Sequence, residues 1–368
     1  MNQMNLFFDI RDLFKAPRLA LSGKKIWIFI IGNLAGFIIY WLFSYISLIL
    51  TGVTFLDALK EYGFQPYLFN TELEWYAWVT YFIGIVAWVI AIYLANTSVS
   101  RVTFKQLKGD YFFSTKDAWR YTEKHWHPIV FTPIIFILII LFFILFASLF
   151  ALLGVIPYIG EFLFAIPYLF YFFGSIFTIY TLIVFLVSLF YIPTIVGAYE
   201  EDTMGSIFQS YSITWSQPWR IIIYNLVLIP LMIISVLIFG YFFETGIRLM
   251  NSVFGNDLLM GQKYSDIVNF SGNLVQLEWL SFIFNFNLPE ISEPLSLFGS
   301  FAGIILAISF FLIILSIISY ALSILSVGHT LMFVIFKKLS DDDDLLSRKD
   351  EDDLELEDDM FNINEEEK

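Results

Sequence analysis

The sequence predicts an all-α integral membrane protein: a six-helix transmembrane bundle with interfacial amphipathic helices and a disordered acidic C-terminal tail. Between Lys124 and Glu200 the chain carries one charged side chain, Glu161. A charge at the centre of a bilayer costs several kcal/mol, so a stretch this free of charge suits hydrocarbon better than water. The whole chain is 58% hydrophobic and 15% charged, whereas soluble domains are roughly 45–50% apolar and about 25% charged.

Six apolar runs reach the ~20 residues that a spanning helix needs. The predicted spans are residues 26–50, 76–95, 129–153, 167–198, 221–243 and 301–336. Pro and Gly residues between Gly154 and Glu161 predict a tight turn joining the third span to the fourth. The chain then divides into an N-terminal amphipathic segment (1–25), the transmembrane domain (26–336) and the acidic tail (337–368).

The distribution of Lys and Arg predicts the orientation in the membrane. With the N-terminus inside, 17 of the 20 basic residues fall in inner segments, and only Lys60, Arg248 and Lys263 fall in outer ones. Cytoplasmic loops are enriched in Lys and Arg, so both termini are predicted to be cytoplasmic. The first apolar run begins near Ile26 and is too long for the core of a signal peptide, so we expect the N-terminus to stay attached.

Most of the net charge of −14 lies in the C-terminal tail. Residues 340–368 hold 15 Asp and Glu and three Lys and Arg. A segment of this composition is predicted to be disordered, and it suits a protein partner with a basic cytoplasmic surface. Nucleic acid is not expected as a partner, because contact with phosphates requires basic residues.

Two inner loops are predicted to form amphipathic helices at the membrane surface. Ser114 and Thr203 each occupy a helix-capping position, and equivalent positions in the two loops differ by 89 residues throughout. This regularity fits either an internal duplication or the common design of an inner loop, and the sequence leaves both open. The aromatic residues assigned to the interface are Trp119 and Trp126 in the first helix and Phe208, Tyr211 and Trp215 in the second.

The second of these loops also carries a resemblance to a known group of proteins. Glu201-Asp202-Thr203 through Ser210, followed by Trp215 and then Trp219-Arg220 opening a span, resembles the signature of a diffuse bacterial superfamily. Its members include the membrane domain of some glycerophosphoryl diester phosphodiesterases and several six-span proteins. The resemblance implies a helical bundle in the bacterial cytoplasmic (inner) membrane. It transfers no catalytic residue, and we expect no phosphodiesterase activity.

The first span contains a GxxxG element formed by Gly32 and Gly36, with Asn33 between them. Such an element allows two helices to approach closely. We expect this contact to lie inside the monomer rather than at a dimer interface, although an oligomer remains open. Asn33 is positioned to donate a hydrogen bond across the contact.

The last span carries four serines, Ser316, Ser319, Ser323 and Ser326, at spacings of 3, 4 and 3. This stripe fits either a pore lining or close helix packing, and the lack of a charged residue on the stripe favours packing. His329 extends the stripe and is a candidate proton relay or pH sensor. The alternative is a solvated histidine at the interface.

Catalytic and metal-binding patterns are missing from the sequence. It has no cysteine, and the pair His125 and His127 has no third ligand nearby, so neither a metal nor a cofactor is expected. It contains no HExxH, GxSxG or P-loop motif. We therefore predict a non-enzymatic scaffold or accessory subunit of a membrane complex, in contact with membrane lipid. The alternative is a transporter or channel for an apolar or lipid-like solute.

Overall fold

The regular elements in the described part of the chain are helical, as expected where each backbone group needs a partner within its own segment. The computed structural model describes residues 3–63, 66–69, 72–275, 295–350 and 354. The α-helices are α1 (Ala16–Ala20), α2 (Gly23–Leu50), α3 (Phe55–Tyr62), α4 (Trp75–Leu107), α5 (Thr115–Lys124), α6 (Trp126–Gly154), α7 (Ile159–Ala165), α8 (Tyr168–Thr194), α9 (Thr203–Ser216), α10 (Pro218–Phe254), α11 (Gln262–Leu274) and α12 (Leu297–Asp341). A 3₁₀ helix (Ile10–Lys15) precedes α1, and a π-helical turn (Ile195–Tyr199) continues α8.

Six of these helices are long and apolar enough to cross a membrane: α2, α4, α6, α8 with its π-helical turn, α10 and α12. The prediction of six apolar spans in an all-helical protein is thereby confirmed. The helices are longer than the predicted spans at several ends. In particular, α4 continues to Leu107 rather than stopping at Ala95, and α12 continues to Asp341.

The connection between the third and fourth spans turns at residues 155–158, within the stretch predicted to turn, and then forms a helix, α7, that was not predicted. Residues after Glu161 are apolar and continue as helix to Ala165, and α7 packs against α6. Gly160 is required at the start of α7, because a Cβ there would lie 2.7 Å from the carbonyl oxygens of both Leu153 and Gly154. Glu161 itself is exposed.

The chain forms two compact units, to both of which α4, α10 and α12 contribute residues. The first unit comprises residues 1–16, 96–228 and 326–368. Within it α6, α8 and α9 pack on one another, around a buried cluster of Phe136, Val184 and Ile207. The helices α5 and α9 lie in this unit.

The second unit comprises residues 17–95 and 229–325. Its α2 and α4 share an aromatic cluster in which the Tyr40 hydroxyl donates to the carbonyl of Pro66 and lies 3.1 Å from the hydroxyl of Tyr81. On α11, Ser271 donates to the carbonyl of Gly303 in α12 at 2.9 Å. The sequence of the apolar, aromatic stretch 274–288 predicts a segment that lies flat on the outer leaflet or caps the bundle; apart from Leu274 and Val275 it lies outside the described residues.

The two amphipathic helices begin differently. Ser114 caps α5 by accepting a hydrogen bond from the Asp117 amide at 3.1 Å. The cap of α9 is Asp202, which accepts from the Gly205 amide at 2.7 Å, so the prediction that Thr203 caps this helix is wrong. A carboxylate is favoured at this position because it also opposes the positive end of the helix dipole. The caps therefore differ by 88 positions and not by 89.

The start of the acidic tail is packed rather than disordered. At Asp342 the backbone adopts a left-handed conformation (φ 51°) that ends α12. Beyond it Leu345, Leu346 and Asp350 are all buried. The prediction of disorder is wrong for this part of the tail because the two leucines give it apolar surface to bury. Residues 351–353 and 355–368 lie outside the described residues.

Candidate functional site

The last two turns of α4, together with the residue that follows it, carry three basic side chains on one face. Arg101, Lys105 and Lys108 are spaced by four and three residues, which places them one above another on a helix. Arg101 is fully buried, and the side chain of Lys108 is 14% exposed. A charge removed from water to this extent requires a charged or hydrogen-bonding partner.

The tail supplies that partner through Asp350. Its Oδ1 lies 2.7 Å from Lys105 Nζ and 3.9 Å from Arg101 Nη2, and its Oδ2 lies 3.1 Å from Lys108 Nζ. One buried carboxylate thus contacts all three cations at the end of α4. We call Arg101, Lys105, Lys108, Glu200 and Asp350 the tail-docking site.

The end of α8 brings a second carboxylate to Arg101. Arg101 Nη1 donates to Glu200 Oε1 at 2.7 Å, and Glu200 is held in a left-handed conformation (φ 62°) just after the π-helical turn. That turn lies directly against α4, because a Cβ on Gly197 would come within 2.8 Å of the Thr97 carbonyl oxygen. A left-handed non-glycine residue is uncommon and marks a position fixed by its surroundings.

Helix α5 closes the site on another side. The Arg101 guanidinium lies over the ring of Tyr121, 4.2 Å from its centre, a favourable cation–π arrangement. The Tyr121 hydroxyl donates to the carbonyl of Val196 at 2.7 Å. Arg101 therefore links α4, α5, the end of α8 and the tail.

Charge pairing controls the ionisation of Asp350. Burial alone raises the pKa of this carboxyl group. The hydrogen bond from Lys105 and the positive charges of Arg101, Lys105 and Lys108 outweigh burial, and the pKa of Asp350 is held well below its usual value of 3.8. Asp350 is therefore an anion at neutral pH.

Backbone contacts fix the segment that carries Asp350. Lys108 Nζ donates to the carbonyl of Arg348, and Gln3 Nε2 donates to the carbonyl of Leu346, both at 2.8 Å. The amide of Met4 donates to the carbonyl of Leu107 at 3.0 Å. The N-terminal residues and the tail are thus both held at the end of α4.

From the sequence, Arg101, Lys105 and Lys108 are predicted to be charges of an inner loop, and their pairing with the tail is not predicted. Two features of the sequence point to part of this site: residues 96–108 contain no Pro or Gly, and the three basic residues have helical spacing. The pair Leu345 and Leu346, placed between two acidic runs, is a further such feature.

The GxxxG element of α2 lies against α4 within the second unit. A Cβ on Gly32 would lie 2.6 Å from the Ala95 Cβ, and one on Gly36 would lie 2.4 Å from Trp88 Cδ1. Asn33 is buried, but its amide donates to the carbonyl of Phe29 in its own helix at 2.9 Å and not across the contact as expected.

The serines of α12 have separate environments. Ser316 donates to the carbonyl of Leu312 one turn earlier, and Ser319 is buried with no hydrogen-bond partner among the residues that the structure describes. Ser323 donates to the carbonyl of Ala20 at 3.0 Å in the second unit. Ser326 donates to the carbonyl of Asn96 at 3.3 Å in the first unit.

His329 is buried, not solvated. It is 3% exposed, and its Nε2 lies 3.1 Å from Asn225 Oδ1. The rings of Phe190 and Tyr191 lie beside it, with centres 5.5 and 5.4 Å away. The described neighbours named here are therefore one neutral amide side chain and two aromatic rings.

The aromatic residues assigned to the interface divide into two groups. Phe208, Trp215 and Trp126 are exposed on the protein surface. Tyr211 packs into the bundle, where its hydroxyl lies 2.8 Å from Thr181 Oγ1, and Trp119 is half-buried.

The second unit contains an apolar groove of about 230 Å³. It lies between α2 and α12, next to the end of α11. Its lining residues are all hydrophobic: Leu34, Phe37, Ile38, Val275, Ile304, Ala307, Ile308 and Phe311.

Comparison of the chain with family models, curated proteins and solved structures found no match. The resemblance to the bacterial six-span superfamily is therefore a prediction that these comparisons do not test.

Proposed function

We propose that this chain is a non-enzymatic polytopic membrane protein that acts as a scaffold or accessory subunit of a membrane complex. The supporting observation is the tail-docking site. Leu345, Leu346 and Asp350 fix the point from which the remaining acidic segment starts. That segment, residues 351–368, carries ten Asp and Glu and one Lys, a composition suited to a partner with a basic surface.

The location belongs to the same proposal. The protein lies in a bacterial cytoplasmic membrane with both termini on the cytoplasmic side, in contact with membrane lipid. The tail-docking site then lies at the cytoplasmic ends of α4 and α12, where a soluble or peripheral partner has access to the acidic segment.

Co-purification tests this function. The full chain is purified in mild detergent beside a variant that ends at Asp350 and beside one in which the ten acidic residues of 351–368 are Asn or Gln. The full chain is expected to retain a stoichiometric partner that both variants lose. The variant with the neutral tail has the same length as the full chain, so it separates the effect of charge from that of length. Recovery of the full chain as a lone monomer contradicts the proposal.

The apolar groove supports the second candidate function, transport of an apolar or lipid-like solute. Ile304 lines the groove, whereas its exposed neighbour Ile305 does not. If the groove carries a solute, Ile304→Trp should block the flux of a labelled lipid in proteoliposomes, and Ile305→Trp should leave it unchanged. If the flux is equal in liposomes with and without the protein, this alternative is removed.

A further inference from the structure

The parts of α6 and α8 that lie beyond their contact with α9 form a hairpin with almost no buried side chains. Among residues 137–180, all of which the structure describes, Gly160 alone is buried. Nearer to α9 the same two helices do share a core, which contains Phe136 and Val184. We call residues 137–180 the α6–α8 hairpin. It carries one charged residue, the exposed Glu161.

A cleft of about 220 Å³ lies between the two helices of the α6–α8 hairpin. Small residues line it: Ala147 on α6, and Gly174 and Thr178, spaced by four residues, on α8. Helix contacts in membranes are enriched in small residues at this spacing, because such residues let a second backbone come close. The cleft therefore allows another helix to approach α8.

The packing of the chain itself does not require a glycine at position 174. A Cβ there would meet Phe143 Cδ1 at 3.8 Å, which is an ordinary van der Waals distance. By contrast, a Cβ on Gly32 or Gly36 would collide with α4. Glycine destabilises a helix interior relative to alanine. A glycine that no described neighbour requires therefore indicates an approach from outside the chain.

The lining of the same cleft includes a hydroxyl group without a partner. Tyr171 lines the cleft one turn before Gly174. Its hydroxyl oxygen is shielded from solvent and has no hydrogen-bond partner among the described residues, and the rings beside it are those of Phe150 and Phe164. A lipid acyl chain cannot accept a hydrogen bond, so this hydroxyl favours a protein segment over an acyl chain as the occupant of the cleft.

A second copy of the chain accounts for both features. Two copies inserted in the same direction are related by a two-fold axis along the membrane normal, so that each residue near the axis meets its own equivalent at the same depth. Gly174 then lies opposite Gly174 of the second copy, where neither side chain keeps the backbones apart. The two Tyr171 hydroxyls lie at one level, and each can both donate and accept a hydrogen bond.

We propose that the α6–α8 hairpin is the interface of a homodimer, with Gly174 at its centre and Tyr171 as its hydrogen-bonding group. The inference stands apart from the scaffold proposal, because contact between two copies requires no other protein.

Single cysteines test this contact in the full chain in isolated membranes. The chain has no cysteine, and a disulfide requires two Cα atoms within about 7 Å of each other. Ser175→Cys is exposed, lines the cleft and should give a disulfide-linked dimer under mild oxidation. Ser309→Cys, at an exposed serine of α12 in the second unit, is the matched control and should stay monomeric.

Substitutions in the cleft test the two residues at the proposed centre. The dimer fraction is measured by single-molecule photobleaching of fluorescently labelled protein in liposomes, as the protein-to-lipid ratio is varied. Gly174→Leu should weaken dimerisation about tenfold or more, because its side chain fills the cleft. Tyr171→Phe should weaken it about three- to tenfold through loss of the hydrogen bond. Gly246→Leu, at an exposed glycine of α10 with nothing within 4 Å, should leave it unchanged.

A milder variant separates loss of the dimer from misfolding. The Cβ of Gly174→Ala fits within the chain, so this variant should unfold at the same temperature as the unaltered protein in detergent that dissociates the dimer, and yet should dimerise more weakly in liposomes.

Three results overturn the proposal. The first is a monomer at every protein-to-lipid ratio. The second is equal cross-linking of Ser309→Cys, since random collision would then explain the dimer. The third is cross-linking of Ser175→Cys to a different protein only, which would assign the cleft to another subunit.

Discussion

Arg101 is the side chain on which the tail-docking site depends most. It is fully buried, and a guanidinium group does not lose its charge in proteins. Its partners come from three directions: Glu200 after α8, the ring of Tyr121 in α5 and Asp350 in the tail. Removal of this one cation therefore breaks the ion pair with Glu200 and weakens the compensation of the buried Asp350.

Arg101→Met is expected to destabilise the protein by about 3–5 kcal/mol, because it breaks a buried ion pair from one side. Unfolding by denaturant in mixed micelles measures the change. The double variant Arg101→Met with Glu200→Gln should recover part of the loss. Arg11→Met, which removes an exposed ion pair with Asp9, is the matched control and should have no measurable effect. A single variant as stable as the unaltered protein would show that Arg101 is not a structural cation.

Docking of the tail is expected to depend on pH through Asp350. Its pKa is lower in the docked state than the 3.8 of the free carboxyl group, so the contribution of Asp350 is fully present above about pH 4. It is lost as the pH falls through the lowered pKa. A fluorophore at Leu354→Cys should therefore give a constant signal from pH 7 to about pH 4 and change only below that. Asp350→Asn should abolish this acid step, and release centred near pH 6 would contradict the assignment.

The sequence contained every residue of this site but not their pairing. Lys105 and Asp350 are 245 positions apart, and local periodicity carries no information about contacts over that distance. The helical spacing of the basic residues was visible, but their partner was hidden within a run of acidic residues.

At the scale of helices, the apolar spans were predictable because hydropathy is a local property of the chain. The ends of the helices were less predictable, because a helix continues beyond its apolar run until it reaches a residue that ends it. For α4 that residue is Gly109, whose φ is 100°, and not the end of the apolar run at Ala95. The Pro and Gly residues between Gly154 and Glu161 predict the turn at 155–158 but give no indication of the short helix α7 that follows it.

The cap of α9 gives a direct comparison between two neighbouring residues. Asp202→Ala should destabilise the protein by about 0.5–2 kcal/mol, since the side chain satisfies a free amide of the first turn. Thr203→Ala lies inside the helix and should have little effect. Hydrogen exchange of the α9 amides, with thermal unfolding in detergent, measures both. A larger effect from Thr203→Ala would restore the cap predicted from sequence.

The crossing of α2 and α4 gives a matched pair of glycines. Gly32→Ala places a Cβ 2.6 Å from the Ala95 Cβ, and neither backbone can yield without moving a helix. A loss of about 1–3 kcal/mol is expected from this overpacking. Gly246→Ala, in α10 with nothing within 4 Å, should be neutral or slightly stabilising. Equal melting temperatures for the two variants would show that the close approach is absent.

At the scale of the whole molecule, the asymmetry of charge is the feature that predicts the orientation of the protein. Of the 20 Lys and Arg residues, 17 belong to segments predicted to be cytoplasmic, and the tail-docking site uses three of them. The buried basic residues at the end of α4 thus hold the tail, and they also belong to the charge pattern that predicts the orientation of the chain. The tail contact was not predicted from the sequence, whereas the orientation was.

Labelling of single cysteines in whole cells tests the membrane topology most directly. Leu258 is 91% exposed between α10 and α11, and Leu354 is 50% exposed in the tail. With a membrane-impermeant maleimide, Leu258→Cys should react in intact cells, whereas Leu354→Cys should react only after permeabilisation. Reaction of Leu354→Cys in intact cells, or recovery of the protein in the soluble fraction without detergent, would contradict a six-span protein with a cytoplasmic tail.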